Sequence, residues 1–397
     1  MEAEQDRNGG WLVAAVCIAG PALVALIPMA AAPALVAMAQ HFGANADSQL
    51  FSQIVMTLPA AMLVASAPVA GWLAGRIGQR AVLLASLVLY IIGGAGVLLV
   101  DSRSALLVLR LLLGIAGGGV LTSCLGLIGD HFSGHRRERV LGYATSVSSL
   151  LAGVALIYGG RLVDLGGWQA PFALYLLGVP TLLLSWFVIR NAALAPEDAA
   201  EKGVAAARDL AHVWPYYALL ILLTLGMFTP SIQAGFVLAD SGMGSAETIG
   251  AVIAATSFVA MITAWAFGFL RRWIGLHGFL VLDALSMGCG ILLIGLSSEV
   301  WTVFLGCALV GIGAGMSEPA TASLLFRRTG PAVHALAMGL IVSALNAGQF
   351  LNPLLFDPLR RGLGVSGAFV ALGLVFLVVA GGLVLRNRHD LTEKDKG

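Results

Sequence analysis

Charged residues are scarce in this chain of 397 residues: Asp, Glu, Lys and Arg make up 11% of it, against roughly a quarter in ordinary soluble domains. Hydrophobic residues make up 59%, and the mean hydropathy is +0.92. Because so little polar surface cannot cover a globule in water, we expect a polytopic membrane protein. The formal net charge of +1 gives no indication of a nucleic-acid partner, and we expect none.

Residue types that bind metals or act as nucleophiles are also sparse. The four cysteines lie in apolar stretches without ligand spacing, and none of the seven histidines lies deep in a predicted span. We therefore expect free thiols, no metal, no cofactor and no enzymatic activity. A cleavable signal peptide is not expected, because the first ten residues are acidic and the apolar run from Trp11 is too long.

Long apolar runs make up most of the remaining sequence. Twelve of them approach the roughly 20 residues that a spanning helix requires. Trp11, Trp168, Trp214 and Trp301 open four of these runs, as in an aromatic belt. We therefore predict an all-α integral membrane protein with twelve transmembrane helices. The predicted spans are 12–38, 50–73, 81–100, 105–128, 139–158, 168–189, 214–237, 248–270, 279–297, 301–325, 335–355 and 366–385.

The second half of the chain repeats the first at an offset of 197 residues, the separation of Gly71 and Gly268. Three segments recur in this one register, which predicts a duplicated unit and two pseudo-symmetric six-helix bundles. The segments are Gly71-Trp72-Leu73 with Ile77-Gly78, Gly114-Ile115, and Gly142, which return as Gly268-Phe269-Leu270 with Ile274-Gly275, Gly311-Ile312, and Gly339. We predict bundles at 1–189 and 214–397, joined by a charged cytoplasmic linker at 190–213.

Positive residues are concentrated on one side of the predicted membrane. If the N-terminus is cytoplasmic, 17 of the 22 Lys and Arg residues lie inside and four lie outside, while Arg110 lies within a span. This bias predicts a multi-pass protein of the inner (cytoplasmic) membrane with both termini in the cytoplasm.

Several motifs resemble those of the major facilitator superfamily. The loop between the second and third spans, Gly71-Trp-Leu-Ala-Gly-Arg-Ile-Gly-Gln-Arg80, is similar to the family's cytoplasmic signature. The resemblance covers nearly the whole chain and implies transport by alternating access. Other matches are Arg110 with Gly114, Gly117 and Gly118 in the fourth span, Asp130 with Arg136, Arg137 and Arg139 after it, and Gly159-Gly160 in the fifth. The first helices, with Ala32-Pro33-Ala34-Leu35 and Gln40-His41-Phe42-Gly43, resemble the drug-efflux branch.

Departures from the family pattern bear on function. Gly75 replaces the usual acid of the loop signature and Gln79 one basic residue, so we expect Asp130 to be the remaining partner of Arg76. The antiporter motif of the fifth helix normally has Gly-Pro before its glycines, whereas this chain has Ala155-Leu156-Ile157-Tyr158. The resemblance implies a cytoplasmic gate against the second half that contains Gly71, Arg76, Gly78, Arg80, Asp130 and Arg137.

Charged residues within spans are costly and usually functional. Glu318, followed by Pro319, is well inside the tenth span, so it either binds and releases a proton or is a permanently neutral acid bonded to a neighbouring helix. By resemblance Arg110 organises proton coupling or binds an anionic group; the alternative is an arginine that extends outward to the membrane surface and bonds to carbonyls at a helix end. Asp283 lies one turn from the cytoplasmic end of the ninth span, near Arg271 and Arg272, and we expect a structural ion pair there.

Polar side chains at helical spacing complete the predicted pathway. Ser343, Asn346, Gln349 and Asn352 recur every three residues in the eleventh span. Such stripes either join helices or contact the substrate. The pathway candidates are Glu318, Arg110, Gln53, Asn346, Gln349, Ser146, Ser149 and Tyr158.

The predicted function is proton-coupled efflux of a small amphipathic or apolar organic molecule, with proton-linked uptake as the alternative. The general resemblance favours efflux, whereas the altered fifth-helix motif favours uptake. The duplicated halves disfavour a channel, and a receptor would bind without flux. The expected partners are the substrate, protons and the lipid bilayer, and we expect a monomer.

Overall fold

The computed structural model describes residues 2–189, 213–240, 242, 245–297, 299–328 and 334–394. All regular elements of this part of the chain are helices, which confirms the predicted all-α class. Eleven helical segments of the described residues are long and apolar enough to cross a membrane. The last, Gly339–Leu385, is 47 residues long and is interrupted at Gly364, whose φ is +74°. It therefore contains both the eleventh and the twelfth predicted span.

The first compact unit, Met1–Asp198, contains the first six spans. Its helices begin and end at turn residues: the Asn45 side chain accepts a hydrogen bond from the Ser48 amide at 2.8 Å, and Gly78, with φ +88°, separates the second and third spans. The helices are Glu2–Ala31 with the 3-10 turn Ala32–Ala34 and Leu35–His41; Ala46–Ile77; Gln79–Ala95 with the 3-10 turn Gly96–Leu99; Arg103–His131; Gly134–Gly166; and the 3-10 segment Ala170–Leu177 with Gly178–Val188.

The second unit, Ala199–Gly397, contains the other six. A π-helical segment, Pro230–Ala234, interrupts the seventh span, and the Ser245 side chain caps the eighth by accepting a hydrogen bond from the Thr248 amide. The helices are Trp214–Thr229 with Gly235–Asp240, Ala246–Leu270, Leu276–Gly295, Val300–Arg328 and His334–Lys394. The predicted linker 190–213 lies, except for Val213, outside the described residues.

Helix packing repeats at the sequence offset. A Cβ atom on Gly114 of the fourth span would lie 2.4 Å from the carbonyl oxygen of Pro59 in the second, and one on Gly311 of the tenth would lie 2.6 Å from that of Thr256 in the eighth. Both members of the first pair are 197 residues from those of the second. The two units are therefore built on one packing plan, in which glycine allows close helix contact.

Candidate functional site

Glu318 lies in the tenth span on the helix face that packs against the eighth. Gly311, Gly315 and Glu318 follow at spacings of four and three residues, so they share one stripe of the helix. A Cβ on Gly315 would lie 2.2 Å from the Ala260 carbonyl oxygen, whereas one on Gly268, farther along the eighth span, would meet no atom within 4 Å. The Glu318 side chain is exposed and has no hydrogen bond or ion pair to any described residue.

Pro319 follows directly within the same helix. Because proline has no amide hydrogen, the carbonyl group of Gly315 loses its usual donor one turn earlier. The tenth span also contacts the seventh, including the π-helical segment Pro230–Ala234. Glu318 thus lies beside a locally weakened part of its own helix.

The predicted ion pair between Asp283 and Arg271 or Arg272 is wrong, because no such pair is formed among the described residues. The Asp283 side chain is completely buried, and its Oδ2 atom accepts a hydrogen bond from the Ser317 hydroxyl at 2.5 Å. Both arginines are exposed. The ninth span therefore places this carboxyl inside the second unit, where the sequence analysis expected a position at the cytoplasmic end.

A buried amide network joins the seventh and eleventh spans. The Asn352 amide nitrogen donates to the Leu225 carbonyl and to the Thr229 hydroxyl, both at 2.9 Å. The Gln233 amide nitrogen donates to the Asn352 Oδ1 atom at 3.2 Å. Gln233 was missed by the sequence analysis, although its position three residues after Pro230 in an apolar span is a detectable signal.

The other members of the eleventh-span stripe have different surroundings. The Asn346 amide donates to the Val342 carbonyl of its own helix at 2.9 Å, and the Ser343 hydroxyl does the same with Gly339 at 3.1 Å. Gln349 is 5% exposed and has no hydrogen bond to a described residue. The stripe is therefore divided, with Asn352 joining two helices and Gln349 left as a polar group without a described partner.

Arg110 is fully buried in the first unit and is held by backbone carbonyls. Its Nη2 atom donates to the carbonyls of Gly93 and Gly94 at 3.1 and 3.3 Å, and its Nη1 atom donates to the Tyr175 hydroxyl at 3.4 Å. The guanidinium carbon also lies 4.8 Å from the centre of the Phe172 ring. The two glycine carbonyls end the third-span helix, where a cation is favoured by the helix dipole.

Tyr175 connects this arginine to the first span, and Tyr90, whose ring centre lies 5.6 Å from that of Tyr175, bonds to the same span. The Tyr175 hydroxyl donates to the Ile27 carbonyl at 2.6 Å, and the Tyr90 hydroxyl donates to the Leu23 carbonyl at 2.7 Å. No carboxylate pairs with Arg110 among the described residues. The carbonyl contacts agree with the helix-end alternative of the sequence analysis, but the expectation that the side chain extends outward is wrong, because Arg110 is fully buried. The arrangement joins four spans of one unit.

The remaining candidates of the first unit are not gathered at Arg110 by hydrogen bonds. Gln53 is fully buried in the second span. The hydroxyls of Ser146 and Ser149 donate to carbonyls of their own helix, those of Gly142 and Thr145, at 2.9 and 3.0 Å. Tyr158 is 58% exposed.

Two arginines of the loop signature each contact a tryptophan residue. The guanidinium of Arg76 lies 4.2 Å from the centre of the Trp72 ring, and Arg80 donates to the Trp186 carbonyl at 3.0 Å. The expected pair of Arg76 with Asp130 is not formed, since no ion pair joins them in the described part of the chain. Both Asp130 and Arg137 are exposed, and a Cβ on Gly71 would touch only Thr122, at 3.5 Å.

Comparison with known proteins gives one consistent answer. The model of the family described as Major Facilitator Superfamily matches residues 17–353. The chain is similar to the multidrug efflux pump LfrA of Mycolicibacterium smegmatis, at 30% identity over 96% of this chain and 68% of that protein. It is also similar to the multidrug resistance protein MdtL of Salmonella paratyphi C, at 25% identity over 83% of each chain.

Solved structures share the fold at low identity. A POT family transporter in complex with a thioalcohol-conjugated peptide has a TM-score of 0.75 at 16% identity and covers 95% of this chain and 96% of its own. A D-xylose-proton symporter has a TM-score of 0.74 at 13% identity, with coverage of 94% and 97%. The predicted architecture of two six-helix bundles is thereby confirmed.

Proposed function

The chain belongs to the major facilitator superfamily and is a multi-pass membrane transporter, not an enzyme; from this premise we propose that it exports small amphipathic or apolar organic molecules in exchange for protons. The observation that carries the proposal is the similarity to the efflux pump LfrA over 96% of this chain. Efflux is the predicted main function, and the match to MdtL supports the same substrate class.

Glu318 is the proposed coupling residue. Its exposed carboxyl has no partner among the described residues, so no neighbouring cation fixes its charge. A carboxyl in such an apolar span is stable in its neutral form and becomes charged when it loses a proton to water or to a competing ligand. Competition between proton and substrate for this group links the two gradients, because coupling free energies between ligands are reciprocal.

The substrate class follows from the side chains of the predicted pathway. Apart from Glu318 and Arg110, the candidates are neutral: Gln53, Asn346, Gln349, Ser146, Ser149 and Tyr158. Gln349 has unpaired amide groups, whereas the serines are already bonded to their own helices. A ligand with a large apolar surface and few hydrogen-bonding groups fits this set better than a sugar or a phosphate.

We further propose that both termini are cytoplasmic, as the ratio of 17 inside to four outside basic residues indicates. The loop signature then lies on the cytoplasmic side. Its glycines permit close approach of another element, and Arg76 and Arg80 are held by tryptophans in the described conformation. These residues remain the proposed gate, and the transporter is proposed to act as a monomer.

Proton-linked uptake is the second candidate, favoured by Ala155-Leu156 in place of the antiporter Gly-Pro pair. Flux measurements in proteoliposomes distinguish the two. Ethidium, a fluorescent lipophilic cation, is a suitable first probe, and protein orientation is determined by protease access to the termini. An exporter exchanging protons concentrates the dye in inverted vesicles only when the lumen is acidic. Accumulation driven by an acidic exterior would instead establish uptake, and binding without flux under either gradient would contradict transport of this probe.

A further inference from the structure

Asp283 is a buried carboxyl that the proposed coupling mechanism does not use. Its side chain is 0% exposed, and its Oδ2 atom accepts a 2.5 Å hydrogen bond from the Ser317 hydroxyl. The Oδ1 atom is buried and has no hydrogen-bond partner among the described residues. A permanent carboxylate with one oxygen unsatisfied in this apolar interior carries a large desolvation cost. The geometry is therefore better suited to a carboxyl that is neutral for part of its cycle.

The duplicated architecture shows that packing does not require an acid here. The residue 197 positions earlier is Ser86, in the third span of the first unit. Ser86 is 6% exposed and packs against Gly119 of the fourth span, whereas Asp283 packs against Gly313 of the tenth, and these two glycines are not at equivalent positions. A small neutral hydroxyl is thus present at the equivalent buried position of the first unit. The duplicated fold alone therefore does not account for an acid at this position of the second unit.

The Ser317 hydroxyl has two acceptors within reach. It lies 2.5 Å from Asp283 Oδ2 and 3.2 Å from the Gly313 carbonyl oxygen of its own helix. When Asp283 is ionised, the hydroxyl hydrogen points to Oδ2. When Oδ2 carries a proton, that proton is donated to the Ser317 oxygen, and the hydroxyl hydrogen turns to the Gly313 carbonyl. Oδ2 and the Ser317 hydroxyl therefore remain hydrogen-bonded in both protonation states without movement of a heavy atom, whereas the ionised state leaves Oδ1 without a partner among the described residues.

No neighbouring charge fixes the state of Asp283 in the described part of the chain. The ninth span packs on the seventh, the tenth and the helix that contains the eleventh and twelfth spans. None of the titratable side chains described on these elements is bonded to Asp283. They are Tyr216, Tyr217 and Asp240 on the seventh span, Cys307, Glu318, Arg327 and Arg328 on the tenth, and Asp357, Arg360 and Arg361 on the last helix; His277 and Cys289 are on the ninth span itself.

We propose that Asp283 and Ser317 form a second proton-binding site, located in the core of the second unit. Ser317 directly precedes Glu318 in the tenth span, so movement of this helix acts on both carboxyls. The transporter then binds a proton at an exposed acid and another at a buried one. The role of the site in transport rests on the proposed proton coupling, but its titration does not.

The test is a pH titration of the full-length protein in lipid, followed by the infrared band of neutral carboxyl groups. Parent protein is compared with D283N, E318Q and D283S. The last of these introduces serine, the residue found at the equivalent position of the first unit, Ser86. We expect one component that decreases as the pH rises to be lost in D283N and D283S and a different one in E318Q, whereas an Asp283 component that is the same at every pH would overturn the proposal. S317A should move the midpoint of the Asp283 component by about 1 pH unit and leave the Glu318 component in place.

A D283N spectrum identical to that of the parent at every pH would overturn the proposal, provided that thermal unfolding shows a folded protein. D283S serves the same purpose if the asparagine variant does not fold. Failure of the proposed export is separable from failure of this site. A titrating Asp283 component in a protein without proton-driven flux leaves the site intact, whereas proton-driven flux without that component overturns the site alone.

Discussion

At the scale of single residues, two asparagines of the eleventh span show how similar sequence positions acquire different functions. Asn352 bonds to Leu225 and Thr229 of another span, whereas Asn346 bonds to its own helix. Periodicity placed both on one stripe, because spacing depends on the helix alone. Periodicity could not distinguish their bonding, because that depends on which hydrogen-bonding groups of the seventh span lie opposite each asparagine.

Replacing Asn352 by Ala should therefore lower the free energy of unfolding by about 1 kcal/mol, a typical cost for an interhelical hydrogen-bonding group in a membrane protein. Asn346→Ala is the matched control and should change it little. Thermal unfolding of both variants in detergent measures the difference. Equal midpoints for the two variants would show that the Asn352 network does not hold the spans together.

Arg110 gives a second prediction at this scale. Lysine keeps the charge but lacks the planar fork that reaches two carbonyls and a tyrosine together. We expect Arg110→Lys to lower the thermal midpoint as well as dye flux, since a buried network has lost its geometry. If Arg110 instead acts only in proton coupling, the lysine variant will unfold like the parent and lose flux alone.

At the scale of helices, glycine positions determine which spans can approach. A methyl group on Gly315 has no room beside Ala260 and Thr263, since its carbon would lie 2.2 Å from atoms of both. We expect Gly315→Ala to destabilise the second unit by about 1–3 kcal/mol, the usual cost of overpacking. Gly118→Ala, at the equivalent position of the first unit, should behave alike.

Gly268→Ala is the control for this pair, because its Cβ would meet nothing within 4 Å. Thermal unfolding of the three variants gives the comparison. A Gly315→Ala variant as stable as Gly268→Ala would show that the eighth and tenth spans are not in the close contact described.

Helix positions were predicted well because hydropathy is a local property, and the twelve predicted spans correspond to the helices found. Irregular segments were not predicted. The π-helical turn Pro230–Ala234 and the 3-10 segment Ala170–Leu177 depend on packing with other helices as well as on their prolines. Gly364 was predicted to be in a loop between two spans, and its φ of +74° is indeed where the long last helix is broken.

At the scale of the whole molecule, the duplication visible in the sequence is also a duplication of contacts. The Ser66 hydroxyl donates to the Gly114 carbonyl at 3.4 Å, and the Thr263 hydroxyl donates to the Gly311 carbonyl at 3.3 Å, both pairs being offset by 197. Function is assigned to the differences between the repeats. The residue of the first unit that is equivalent to Asp283 is a serine, Ser86, and the one equivalent to Glu318 is the apolar Leu121.

The candidate site was harder to predict than the fold. Glu318 was selected from the sequence because a lone acid in an apolar span is conspicuous, and its role in coupling stays a prediction. The buried position of Asp283 was not, because its partner Ser317 is 34 residues away in sequence and only the packed helices bring the two together. Because Asp283 is only one turn from the predicted end of the ninth span, the sequence suggested an ion pair at the surface instead.

The central claim, that Glu318 couples export to protons, is tested most directly in inverted proteoliposomes with an acidic lumen. Parent protein and Glu318→Gln are compared for ethidium accumulation and for dye exchange without a gradient, with Glu299→Gln as a control at an exposed acid outside the spans. We predict that Glu318→Gln reduces accumulation at least about tenfold while exchange persists. Accumulation by Glu318→Gln equal to that of the parent would contradict the claim and assign Glu318 a structural role.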